Sequence, residues 1–168
     1  MLDKEIFIDS FLGPGKKAID MGSWDNIEPS VFLASRGLTV FAIDRYQRML
    51  DFEERLIESF EKKRISREVF ERIFPLKADA NCLPFSEESI DGIFFIYSVP
   101  WLEQFGTEPL SAYKEAMRVL KNNGLIFIIE STIERAEIQM GLLSTMMKAE
   151  RLENVVVGKK HSKEREFF

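Results

Sequence analysis

The sequence predicts an α/β domain built on a doubly wound, mostly parallel sheet. Short runs of strand length, at 17–21, 38–43 and 90–97, the last two rich in β-branched and aromatic residues, alternate with segments of helical periodicity. The runs are apolar almost throughout rather than at every second residue, which marks strands buried on both faces. Acids also recur at or just past strand carboxyl ends, at Asp20, Asp44 and Asp79, where open α/β sheets bind ligands.

The elements follow in order. Residues 1–16 open with an amphipathic piece, Ile6, Phe7 and Phe11 forming its apolar side, which Gly13-Pro14-Gly15 breaks. Strand one spans 17–21. A helix starts near Asn26 to Pro29, since Asn caps and Pro suits a first turn, and it ends at Arg36-Gly37. Strand two, 38–43, ends on Asp44. The charged segment 45–73 predicts two helices: Phe52, Leu56, Ile57 and Phe60 share one face, and Ser66 caps a second helix that Pro75 ends.

Strand three is short, 76–78, followed by a loop and then strand four, 90–97. Residues 98–107 read as a loop and 110–120 as a helix, with Tyr113, Ala116, Met117 and Leu120 on one face. Asn123-Gly124 stops it before strand five, 125–130. A long helix, 133–149, precedes a last strand, 154–157, and a basic tail ending in Phe167-Phe168.

The chain has 168 residues, 45% of them hydrophobic, enough for the core of one domain spanning 1–168. The net charge of −5 argues against non-specific nucleic-acid binding, although Lys159, Lys160, Lys163 and Arg165 leave a local basic cluster. One cysteine, Cys82, read as a small buried hydrophobe, fits a reducing cytoplasm. The first residues lack the pattern of a signal peptide, and no apolar run approaches the roughly 20 residues of a membrane span. One histidine, His161, and one cysteine leave no His/Cys metal cluster.

Each acid taken singly is an ordinary turn residue. Together they would face one crevice. Asp44 lies about 20 residues beyond the first loop, where a carboxylate accepts from both hydroxyls of a ribose. Gly22 lets the backbone approach a ligand closely.

These segments resemble the motifs of class I S-adenosylmethionine-dependent methyltransferases, over about 17–130. Ala18-Ile19-Asp20-Met21-Gly22 resembles their first motif and Val40-Phe41-Ala42-Ile43-Asp44 their second. Lys77-Ala78-Asp79-Ala80 and Leu83-Pro84-Phe85 through Ile93 resemble the third and its continuation. The run from Ala116 to Leu125 resembles the helix, turn and fifth strand. The resemblance implies a Rossmann-like sheet of the methyltransferase type with S-adenosylmethionine as cofactor. It implies a binding set of Asp20, Gly22, Ser23, Trp24, Asp44, Arg45, Asp79, Ala80 and Tyr97. The acceptor is unassigned, with Tyr97, Ser98, Pro100, Trp101 and Glu103 lining its side. Ser98-Val99-Pro100-Trp101 loosely resembles an amino-group methyltransferase motif; packing of Trp101 on the core is the plainer reading.

The family places two further glycines where Trp24 and Asn26 stand. A nicotinamide dehydrogenase, which needs those glycines against a pyrophosphate, fits less well. A second reading stays open, in which the fold serves as a catalytically degenerate binding or regulatory partner, and a third is a binder of another adenosine-like ligand. The C-terminal edge reads as shortened, 154–157 being one strand of a hairpin and 165–168 what remains for the other. Such an edge invites pairing with a second copy.

Overall fold

The computed structural model describes residues 12–45, 49–104, 106, 108–153 and 155–161. Seven strands form one sheet: β1 (Lys17–Met21), β2 (Thr39–Asp44), β3 (Ile73–Lys77), β4 (Ile90–Ile96), β5 (Leu120–Ile129), β6 (Lys148–Leu152) and β7 (Val155–Lys159). Their order is β3-β2-β1-β4-β5-β7-β6. The first five are mutually parallel, and β7 runs antiparallel between β5 and β6. The helices are α1 (Glu28–Ser35), α2 (Met49–Glu61), α3 (Arg67–Phe70), α4 (Val99–Gln104), α5 (Pro109–Val119) and α6 (Ile133–Ser144).

Alternation along the strands builds two cores. Ala18, Val40, Ala42 and Phe94 face Leu33 of α1 and Phe52 and Leu56 of α2. Ile19, Met21, Ile93 and Phe95 face Tyr113 and Ala116 of α5 and Ala136 and Leu143 of α6. The sheet is thus covered on both sides, as its continuous apolar strands predict. Ile57, expected on the apolar face of α2, is instead exposed. Ser66 caps α3 as expected, accepting from Val69 N–H.

Several boundaries differ from expectation. β3 begins at Ile73 and runs through Pro75, read above as a terminator. Arg72 C=O accepts from Val40 N–H and Ala78 N–H donates to Asp44 C=O, so even-numbered residues point their backbone groups at β2. Pro75 therefore sits on the outward side of an edge strand, where a missing N–H costs no sheet bond. Residues 99–104, expected as loop, form α4, with Pro100 in its first turn.

The expected short C-terminal edge is corrected. The helix after β5 stops at Ser144 rather than at 149, and 148–152 with 155–159 complete a two-stranded hairpin. Gly158 permits it: a Cβ there would collide with Met147 and Leu143. Met147 therefore packs under β7 rather than on a helix. Cys82 is exposed rather than buried, because the turn Asp79–Cys82 holds it at the surface. The apolar side expected at Ile6, Phe7 and Phe11, the basic residues Lys163 and Arg165, and Phe167-Phe168 lie outside the described residues. His161 is exposed.

Two polar devices explain family-like segments far from the crevice. Asp91, at the amino end of β4, accepts from Lys17 N–H at 2.9 Å and from Lys121 Nζ at 3.0 and 3.1 Å, and Lys16 lies 3.6 Å away. Burial works to raise the Asp91 carboxyl, but these partners outweigh it and hold it below the ordinary range. Arg118 of α5 donates to Glu115, to Phe85 C=O at 3.0 Å and to Leu83 C=O at 3.1 Å, while Leu83 N–H donates back to Glu115 at 2.8 Å. The guanidinium holds the Glu115 carboxyl below its usual range. The Leu83-Pro84-Phe85 loop is thereby clipped to α5.

Candidate cofactor and acceptor site

The strand order reverses direction at β1, whose neighbours are β2 and β4. Helical connections leave from opposite faces there, opening a crevice at the carboxyl ends. The loop after β1 enters it under close control. Gly22 N–H and Ser23 N–H both donate to Ile43 C=O, at 2.8 and 3.1 Å. Gly22 has φ +74°, and a Cβ on it would lie 2.6 Å from Ser98 Cβ, so the ends of β1 and β4 interlock at this point.

Trp24 follows with φ 52°, a left-handed backbone that glycine adopts freely and aromatics avoid. The loop thus keeps a glycine-like path at a position where the family would place glycine. Asn26, the other substituted position, has no positive φ; its Oδ1 accepts from Glu28 N–H at 3.1 Å at the start of α1. Trp24 N–H donates to Asp44 Oδ2 at 3.2 Å. Asp44 is 8% exposed at the end of β2.

Asp20 stands apart from this group. It shares the α1 face of β1, is 2% exposed, and accepts from Ser30 Oγ at 2.6 Å. Burial pushes its carboxyl up to about 7, with the Ser30 bond opposing. Its visible role is to tie β1 to α1. Ser30 had no signal in the sequence, because a lone serine in a first helical turn looks like any other.

Asp79 lies past β3 in a turn. Its Oδ1 accepts from Asn81 N–H at 2.9 Å, and Arg45 approaches its Oδ2 at 3.9 Å. Ala80 beside it is buried. Tyr97, 51% exposed, follows β4 with φ 53° and donates its N–H to Ile129 C=O at 2.9 Å. Ser98 is 2% exposed, and its Oγ is buried with no hydrogen-bond partner.

A second polar group lies past β5. Glu130, fully buried, continues the face of Ile126 and Ile128, and Arg135 Nε of α6 is 3.5 Å from its Oε2. The same guanidinium donates to Glu103 of α4 at 3.3 Å. Burial raises the Glu130 carboxyl, and Arg135 opposes this. Tyr113, donating to Gln139 Oε1 at 2.7 Å, has its phenol raised by burial and by Glu130 and Glu103. Arg135 therefore links α4, which carries the expected acceptor side, to the end of β5. The only hint in the sequence was an acid directly after the apolar run of β5. The Trp101 side chain falls outside the described residues.

The structure thus brings Gly22, Ser23, Trp24 and Asp44 into one bonded group and pairs Arg45 with Asp79. It places Asp20 behind the loop. Among the described residues no group of three or more His, Cys, Asp or Glu is placed to hold a metal ion.

A family model described as a methyltransferase domain matches residues 20–128. No curated protein matches the chain. Among solved structures, a candidate S-adenosyl-L-methionine-dependent methyltransferase of Methanococcus maripaludis aligns with a TM-score of 0.74 at 19% identity, over 96% of this chain and 84% of that one. A SAM-dependent methyltransferase of Aquifex aeolicus aligns at 0.70 and 20% identity, over 94% and 87%. One from Methanosarcina mazei aligns at 0.70 and 16%, over 96% and 100%.

Proposed function

The chain belongs to the methyltransferase domain family, and from that premise we propose that it is an S-adenosylmethionine-dependent methyltransferase and which of its residues hold the donor. The donor lies across the carboxyl ends of β2, β1 and β4. Asp44 accepts from the ribose hydroxyls, Asp79 and Ala80 border the adenine with Arg45 beside them, and Gly22, Ser23, Trp24 and Tyr97 surround the amino-acid end. Asp20 supports this set from behind by fixing α1 to β1.

The observation that carries the reading is the Asp44–Trp24 bond beside Gly22 at the reversal point of the sheet. A carboxylate has about four acceptor sites, so the bond from Trp24 N–H does not by itself exclude ribose hydroxyls from Asp44. The residues also fit the group chemically. Ser98 Oγ, buried and unsatisfied beside Gly22, is a polar atom that gains a partner when the crevice fills. The glycine-like path at Trp24 weighs against the degenerate reading, because the substitution leaves the backbone where a donor needs it.

The bound cofactor supplies an electrophilic methyl group on a sulfonium. The protein's part is placement: an in-line displacement gains most from holding the nucleophile on the methyl axis. α4, fixed by Glu103 and Arg135, forms the acceptor side. We further propose a single domain over 1–168 and a cytoplasmic location, supported by the lone cysteine. No helix among the described residues is long and apolar enough to cross a membrane. Association with a second copy would use β6, but Lys148, Glu150 and Arg151 there are the charges that protect an edge, which disfavours it.

Calorimetry or thermal shift with S-adenosylmethionine and S-adenosylhomocysteine tests the donor site. A ligand at 100 times its Kd should stabilise the fold by about 2.7 kcal/mol. No shift with either ligand in a folded sample refutes it.

A further inference from the structure

Among the described residues, six other than glycine have positive φ. Lys63, Glu88, Asn123 and Glu153 are polar. The other two, Trp24 at 52° and Tyr97 at 53°, are aromatic, and both follow strands that border the crevice. Bulky residues avoid this backbone region, and they persist there where the surroundings over-determine them, most often at ligand sites.

The two positions are close in space. β1 and β4 are adjacent, with Met21 opposite Phe95, and Gly22 and Ser98 interlock beyond them. Trp24 is two residues from Gly22 and Tyr97 one from Ser98. With consecutive Cα atoms about 3.8 Å apart, both Cα atoms lie within about 8 Å of that contact, well inside the reach of two large rings into one volume. Half of Tyr97 is open to the crevice end of the sheet.

The donor and its product differ in charge at one atom. S-adenosylmethionine carries a sulfonium; S-adenosylhomocysteine has a neutral thioether there. An aromatic face attracts a cation and has no such preference for a neutral sulfur.

We propose that Trp24 and Tyr97 form an aromatic clamp on the sulfonium, so that this chain binds the charged donor in preference to its neutral product. This rests on the donor lying at the β1–β4 junction as proposed above. It assigns a specific use to the residue that replaces a family glycine.

The test compares Kd values of S-adenosylmethionine and S-adenosylhomocysteine by calorimetry, in the wild type and in Trp24→Gly, Trp24→Phe and Tyr97→Leu. Trp24→Gly and Tyr97→Leu should each lower the preference for the charged ligand by about 3- to 30-fold, with little change for the neutral one. Trp24→Phe, which keeps a ring face, should retain most of the preference. Tyr97→Leu keeps the test open if the loop variant misfolds, because Tyr97 is half-exposed. An unchanged ratio in both, or equal loss of both ligands, overturns the clamp while leaving the donor site standing. If neither ligand binds the wild type, the donor site itself is overturned.

Discussion

Trp24 N–H donates to Asp44 Oδ2 at 3.2 Å, joining the loop after β1 to the acid at the end of β2. The bond orients the carboxylate and anchors the loop at the same time. The contact comes from the backbone of Trp24, at a position where the family has glycine.

Asp44→Ala should therefore act twice, removing the ribose acceptor and releasing the loop. Hydrogen bonds to a charged group contribute about 1.5–3 kcal/mol. Affinity for both S-adenosylmethionine and S-adenosylhomocysteine should fall by about 10- to 100-fold in calorimetry. Retained affinity would reassign the ribose site.

Asp20 predicts a pH dependence of stability. Its carboxyl titrates near 3.8 in the unfolded chain and near 7 when folded. Between those values the folded state holds the extra proton, so this group's contribution is full below about pH 4 and declines as pH rises through 7. Asp20→Asn keeps an acceptor for Ser30 and removes the titration. Relative to wild type, the variant should gain stability from pH 4 to pH 8, by on the order of 4 kcal/mol at most. Denaturant unfolding at the two pH values reads the difference; an equal offset at both would refute it.

Removing the Arg118 clip should loosen the loop between β3 and β4. Arg118→Ala loses bonds to Leu83 and Phe85 and leaves Glu115 with fewer partners. A loss of about 1–3 kcal/mol in unfolding free energy is expected, with faster proteolysis near residues 83–88. Unaltered cleavage there would mean that apolar packing alone holds the loop.

Gly158→Ala places a methyl group against Met147 and Leu143. Overpacking of this kind costs about 1–3 kcal/mol. Met147→Ala in the same chain should recover part of the loss, and a double-mutant cycle measures the coupling. Strict additivity would show that the two sites do not touch.

The sequence exposed those features that depend on local pattern. Residues 38–43 and 92–96 are mostly apolar runs of strand length, as strands covered on both faces require. The acids at strand ends followed from spacing. Pro75 misled because its effect depends on which side of the strand its nitrogen faces, a fact of pairing rather than of sequence. β6 was hidden for a related reason: Lys148-Ala149-Glu150-Arg151 reads equally well as the end of a helix, and its pairing with β7 decides. Asp20 was legible as an acid before a glycine, but not as a group turned toward Ser30. The left-handed backbone at Trp24 could not be read at all, since nothing in a tryptophan signals it.

The junction at Asp91 has a mechanical meaning. One carboxylate grips the start of β1 through Lys17 N–H, the start of β5 through Lys121, and β4 itself. Three central strands are pinned at their amino ends, like the ribs of a fan at its rivet. The opposite rim, where Gly22, Ser98 and Glu130 stand, is shaped instead by the loops that leave those strands.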